Sequence, residues 1–198
     1  MRIETDGRYS RIILDPGDYY VTGEASVITT LLGSCVAACL FDSKNRIIGM
    51  NHFLLSNPRY SRDLPIFISE AGRYGIHAME ILINEMMHKG AKRENLRAKV
   101  FGGASILLNR ERVGNFVCVG EVNCRFIREF LENENIPIVA EKLGGETGMV
   151  IHFSNGDFSV YMRRIGQSRS ERLAARDREC WLRAIDMQEK TMLSIDLW

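Results

Sequence analysis

The stretch from Gly33 to Leu55 constrains this chain more than any other: a Gly33-Ser34 bend, an apolar run from Cys35 to Phe41, the polar cluster Asp42-Ser43-Lys44-Asn45, and a second apolar segment from Ile47 to Leu55. Periodicity does not assign so short an apolar run, but two such runs flanking a cluster of turn-forming residues predict an antiparallel hairpin. If the turn is tight, symmetric and centred between Ser43 and Lys44, Cys35 faces His52 directly. Directly opposed side chains share one face of a sheet with Cβ atoms about 4.5 to 5.5 Å apart, close enough for an imidazole to reach a thiol.

The flanking segments alternate between strand and helix signals. Val27 to Leu31 reads as a strand leading into the bend, after a polar lead-in. Ile76 to Lys89 sets Met79, Leu82, Ile83, Met86 and Met87 at helical spacing, and Gly90 supplies a left-handed stop. A second helix over Glu121 to Asn133 gathers Val122, Phe126, Ile127, Phe130 and Leu131 on one face. Leu96 to Phe101 and Ile136 to Ala140 read as strands, and Met149 to Phe153 is expected to pair with Phe158 to Met162 across Asn155-Gly156. Residues 56 to 72 carry two prolines and little periodicity, as a long surface loop does.

With 198 residues the chain can bury one sizeable core. Residues 1–166 are therefore expected to form a single domain. From residue 167 the character changes to a charged helical extension, 167–198, in which Leu173, Cys180, Trp181, Ala184 and Ile185 make a narrow apolar stripe. That stripe suits a packed terminal helix or one that binds a partner.

Charge and composition remove several function classes. Lys and Arg number 26 against 25 Asp and Glu, so no global field favours nucleic acid or an anionic membrane. The apolar run Val36 to Phe41 is far shorter than a membrane span, which argues against membrane insertion, and MRIETDGRYS lacks the apolar core of a signal peptide. A cytoplasmic protein is the expectation. Five cysteines without a CxxC pair suit neither a disulfide framework nor a zinc cage, and read as reduced thiols. His77 and Glu80 lie one helical turn apart without further ligands at suitable spacing, so no metal site is expected. Gly102-Gly103 and Gly144-Gly145 fit no phosphate-binding motif, so no cofactor is expected; they read as turns of unusual dihedrals, some of them beside the active site.

A cysteine in apolar surroundings is most often inert filler. Paired with an imidazole it becomes a nucleophile, because an adjacent His⁺ lowers a free thiol pKa of about 8.5 by several units and the same ring can protonate a leaving amine. Thr29 or Thr30 can come alongside as the group that orients the base. Backbone N–H groups around Gly33, Ser34 and Cys35 can accept a developing oxyanion. Arg73 and Tyr74, after the long loop, suit either substrate binding or loop anchoring.

The segments TTLLGSCVAACLFD, GMNHFLL, RYGIHAMEILINEMMHKGA, LRAKVFGGA, GEVNCRFIREFLENENIPI and LGGETG, in this order, closely resemble the chemoreceptor glutamine deamidase (CheD) family over about residues 20 to 165. The resemblance implies hydrolysis of receptor glutamines to glutamate with release of ammonia. It also implies a catalytic triad in which Cys35 is the nucleophile, His52 the base and Thr29, six residues before the cysteine, the third member. It implies an α+β fold, a layered α/β/β sandwich of mixed sheets similar to the catalytic domain of cytotoxic necrotizing factors. The implied partners are methyl-accepting chemotaxis receptors as protein substrate and a CheC-type phosphatase; a docking adaptor with secondary chemistry is the alternative reading. The chain departs from the family pattern at Met149, at Leu143 and in its tail beyond Gln167.

Overall fold

The computed structural model describes residues 1–6, 9–55, 70–105, 119–166, 172–180 and 182–183. Most of the loop expected at 56–72, together with Cys118, Trp181 and residues 184–198, lies outside them.

Among the described residues, ten strands form two mixed five-stranded sheets. The first runs β1 (Arg2–Asp6), β2 (Tyr9–Leu14), β4 (Ser26–Leu32), β9 (Met149–Ser154) and β10 (Val160–Arg164); the second runs β3 (Tyr19–Thr22), β6 (Ile47–Asn51), β5 (Val36–Asp42), β7 (Arg97–Gly102) and β8 (Ile138–Leu143). Pairing is antiparallel except between β2 and β4 and between β7 and β8. Helices α1 (Glu70–His88) and α2 (Val119–Asn133) cover the second sheet, giving a layered α+β sandwich with that sheet in the middle.

This layering explains the unbroken apolar run from Cys35 to Phe41. A strand buried on both faces needs apolar side chains at every position. Val36, Ala38 and Leu40 point into the core shared with Met79, Leu82, Met86, Phe126 and Ile127 of the helices. Cys35, Ala37 and Cys39 point the other way, into the core shared with Ile12, Ile28, Leu32, Ile151 and Phe153 of the first sheet. Strand alternation therefore places Cys35 between the two sheets.

The polar lead-in is not a tail but three strands. β1 is an exposed edge, so its polar composition hides it from pattern reading, while β2 buries Ile12 and Leu14 through its parallel pairing with β4. Helix α1 begins at Glu70, a turn and a half before the expected start, and the last hairpin closes with a wider connection, Phe153 opposing Val160.

The β5–β6 hairpin forms as expected, but its register differs. Asp42 opposes Ile47, so the turn is centred between Lys44 and Asn45. The cause is the buried Asp42 carboxylate, which accepts the N–H groups of Lys44 (2.9 Å), Asn45 (3.1 Å) and Lys92 (2.9 Å) and the side chain of Asn45 (2.7 Å), while Arg46 takes a left-handed φ of 56°. Val36 consequently opposes Phe53 rather than Asn51. Cys35 is then level with Leu54, and His52 is level with Ala37. No helix among the described residues is long and apolar enough to cross a membrane.

Candidate active site

The bend before β5 is held by main chain. The Cys35 carbonyl accepts the Gly103 N–H at 2.7 Å, the Gly33 carbonyl accepts the Ala104 N–H at 2.8 Å, and the Ser34 carbonyl accepts Asn123 Nδ2 at 2.8 Å. Gly102 and Gly103 adopt φ of 111° and 71°, and a Cβ on Gly102 would lie 2.2 Å from the Cys35 oxygen, so no larger residue fits. The Asn123 side chain also accepts the Leu55 N–H at 2.9 Å, tying α2 to the bend and to the segment just after His52.

His52 is fixed at both backbone and ring. Its N–H donates to the Asp18 carbonyl at 2.9 Å and its carbonyl accepts the Gly17 N–H at 2.7 Å, so the turn between β2 and β3 positions it. Between Met50 and Phe53 the hairpin ladder is interrupted, and the Ala38 N–H donates to Asn51 Oδ1 at 3.1 Å. On the ring, Nδ1 lies 2.8 Å from Thr30 Oγ1, which itself donates to the Leu14 carbonyl at 2.8 Å. A hydroxyl has one proton. With that proton committed to a carbonyl, Thr30 accepts from Nδ1–H, and the tautomer leaves the lone pair on Nε2. Nε2 is buried and has no hydrogen-bond partner among the described residues.

Extending the β5–β6 register past Met50 to the Val36–Phe53 bridge makes Cys35 and His52, each just outside its strand, diagonal neighbours on one face of the second sheet. Both are essentially unexposed. Burial, reinforced by the Arg176 charge, lowers the His52 pKa to about 3, and burial followed by the Asp177 charge pushes the Cys35 thiol well up. Both shifts favour the uncharged forms, since burial penalises thiolate and imidazolium alike.

Thr29 and Thr30 occupy opposite faces of β4, as adjacent strand residues must. Thr30 meets His52, whereas Thr29 turns to the outer face and lies 3.0 Å from His152 Nδ1. The threonine hydroxyl beside the candidate base is thus five residues before Cys35, not six. Ser34 donates both its N–H (2.8 Å) and its hydroxyl (3.0 Å) to Asp177 Oδ2. Tyr74 is part-exposed near the start of α1; burial first, then the Cys35 charge, raises its phenol pKa. Arg73, His77 and Glu80 are exposed on α1.

Residue-level reading missed Asn123 and Asp177. Each carries the same signal, a polar residue on an apolar helical face: Asn123 among Val122, Phe126 and Ile127, and Asp177 on the stripe of Leu173 and Cys180. Cys35, Cys39, Cys124 and Cys180 are free thiols.

Residues 63–164 match the family model described as CheD chemotactic sensory transduction. A relative from Geobacter sulfurreducens, named as a probable chemoreceptor glutamine deamidase CheD 1, is 58% identical over 193 residues, covering 98% of this chain and 96% of that protein. One from Shewanella oneidensis, named as a probable chemoreceptor glutamine deamidase CheD 2, is 48% identical over 170 residues, covering 85% and 83%. Among solved structures, the hypothetical protein YfiH of Bacillus licheniformis aligns with a TM-score of 0.38 at 15% identity over 63% of this chain and 49% of that one. On the strength of the matched family model and of relatives aligned over nearly its whole length, this chain belongs to the CheD family.

Proposed function

We propose that this protein is a cytoplasmic deamidase that hydrolyses glutamine side chains of chemotaxis receptors to glutamate, with Cys35 as nucleophile, His52 as base and Thr30 orienting the ring. The observation that carries this reading is the donor count at His52: Nδ1 is committed to Thr30, and a buried Nε2 without a partner among the described residues is left on the face to which the strand register assigns Cys35. A buried polar atom without a partner is costly, and such atoms concentrate where a substrate or transition state completes the bonding.

The reaction follows from these groups. Nε2 takes the Cys35 proton as sulfur attacks the side-chain amide carbon, so neither group needs to be charged beforehand. The oxyanion that forms is held by the Ser34 N–H, with the Ser34 hydroxyl as a second donor, the two groups that Asp177 Oδ2 engages in this structure. Protonated His52 then gives its proton to the departing nitrogen, which leaves as ammonia. Water, deprotonated by Nε2, resolves the thioester to glutamate and restores the thiol. Each turnover adds one negative charge to a helical receptor, altering repulsion between neighbouring helices.

Incubating a receptor signalling fragment with the protein and measuring intact mass tests this. We expect a gain of about one dalton per modified glutamine with wild type, and a loss of at least roughly 10³-fold in rate for Cys35→Ala. Undiminished deamidation by that variant would overturn the assignment. Docking on a CheC-type phosphatase belongs to the same proposal, and is tested by measuring whether Cys35→Ala retains that binding.

A further inference from the structure

The helix formed by residues 172–180 lies over the bend that carries the candidate nucleophile. Leu173 packs so closely on the segment before β9 that a Cβ on Gly148 would lie 2.5 Å from its Cδ2. Arg176 donates to the Leu31 carbonyl at 3.0 Å and pairs with Asp177 at 3.2 Å. Asp177, completely buried, accepts the two Ser34 hydrogen bonds, and Cys180 packs against the cluster that contains Cys35. Successive turns of one helix thus touch the end of β4, the bend and the surroundings of the thiol.

With this helix in place Cys35 is 0% and Ser34 4% exposed, so no side chain of another protein reaches the sulfur. Something must move before a protein substrate can react. Cys35 directly precedes the central strand of the middle sheet, and the bend is strapped to Gly103, Ala104 and Asn123, so moving those would dismantle the core. Residues 172–180 join no strand ladder and can leave with both sheets intact.

What the helix presents to the bend also matches what the site should hold. A carboxylate has the planar shape of a carboxamide, and Asp177 Oδ2 sits on the N–H that would receive the oxygen of a bound glutamine amide. Its negative charge beside Cys35 further opposes ionisation of the thiol, on top of burial.

We propose that helix 172–180 is a tethered competitor: it holds the Asp177 carboxylate on the Ser34 donors where a substrate carboxamide binds, and Cys35 reacts only when a protein substrate displaces it. The identity of what it competes with rests on the deamidase reading above; the occlusion of Cys35 does not.

The test uses the full chain and iodoacetamide, with alkylation of the Cys35 peptide followed by mass spectrometry and folding checked by thermal melting. Asp177→Ala removes the carboxylate, and Leu173→Glu undocks the helix without touching Ser34. Cys35 alkylation is expected to rise at least about tenfold in both, and in a deamidation assay Asp177→Ala should lower KM more than it changes kcat, because the competent fraction of the enzyme grows. Unchanged Cys35 alkylation in folded variants overturns the proposal. A wild-type measurement stands independently of whether either variant folds: protection of Cys35 from alkylation should match the hydrogen-exchange protection of residues 172–180, and matching that of the β5 amides instead overturns the proposal. Failure of every protein to deamidate a receptor fragment would overturn the proposed function, while the alkylation and exchange results would still decide the role of the helix.

Discussion

Thr29 and Thr30 are adjacent, chemically identical and each hydrogen-bonded to a histidine, yet the two pairs differ in almost every physical respect. Thr30 and His52 lie between the sheets, with the ring 1% exposed and its pKa driven to about 3 by burial. Thr29 and His152 lie on the outer face of the first sheet, where His152 is only half-buried and its pKa is lowered by partial burial and by Arg11 and Arg163. The same residue pair is a candidate catalytic element in one place and a part-buried contact on the outer face of a sheet in the other. The chemistry resides in the enclosure and the spare nitrogen, not in the Thr–His contact.

The contrast is broken or sharpened most strongly at the histidines. His52→Gln is expected to reduce kcat for receptor deamidation by roughly 10³-fold, since it removes the general base, whereas His152→Gln should leave the rate within about threefold. Comparable losses in both would show that the enclosed pair has no special role.

Stability against pH separates the pairs next. His52 is neutral in the fold down to about pH 3, while in the unfolded chain it titrates near 6.5, so the unfolded state takes up a proton first as pH falls. Stability is therefore intact above about pH 6.5 and is lost progressively below it, by roughly 2 to 3 kcal/mol at pH 4.5 from this residue. Denaturant melts of wild type and His52→Gln between pH 7 and 4.5 should show a shallower decline in the variant; parallel declines would contradict the enclosure of this ring.

The smallest expected effect distinguishes the threonines. Thr30→Val removes the acceptor that fixes the His52 tautomer and should lower kcat by about ten- to a hundredfold with KM little changed, while Thr29→Val should stay within about threefold. The reverse ranking would move the orienting role to the outer face of β4.

Much of the architecture was legible because burial imposes periodicity. The Met79, Leu82, Ile83 and Met86 spacing announced α1, the Phe126, Ile127, Phe130 and Leu131 spacing announced α2, and the two apolar runs flanking Asp42 to Asn45 announced the β5–β6 hairpin. The lead-in was not legible, since β1 is an exposed edge and its pairing with β2 leaves no apolar alternation to detect. The hairpin was legible but its register was not, because Asp42 recruits Lys92 from a distant segment and moves the turn by one residue.

The linear chain alone specifies a thiol just after a glycine-serine bend, an imidazole on the following strand, two threonines before the bend, and the helices that cover the sheet. These are local properties: side-chain type, period and turn chemistry act over a few residues. Which threonine meets the imidazole, how far apart thiol and ring lie, and that a carboxylate 143 residues away holds the Ser34 donors were decided by the assembled fold. Those outcomes depend on strand register, on which face of β4 turns inward and on long-range hydrogen bonds, none of which leaves a trace in sequence spacing.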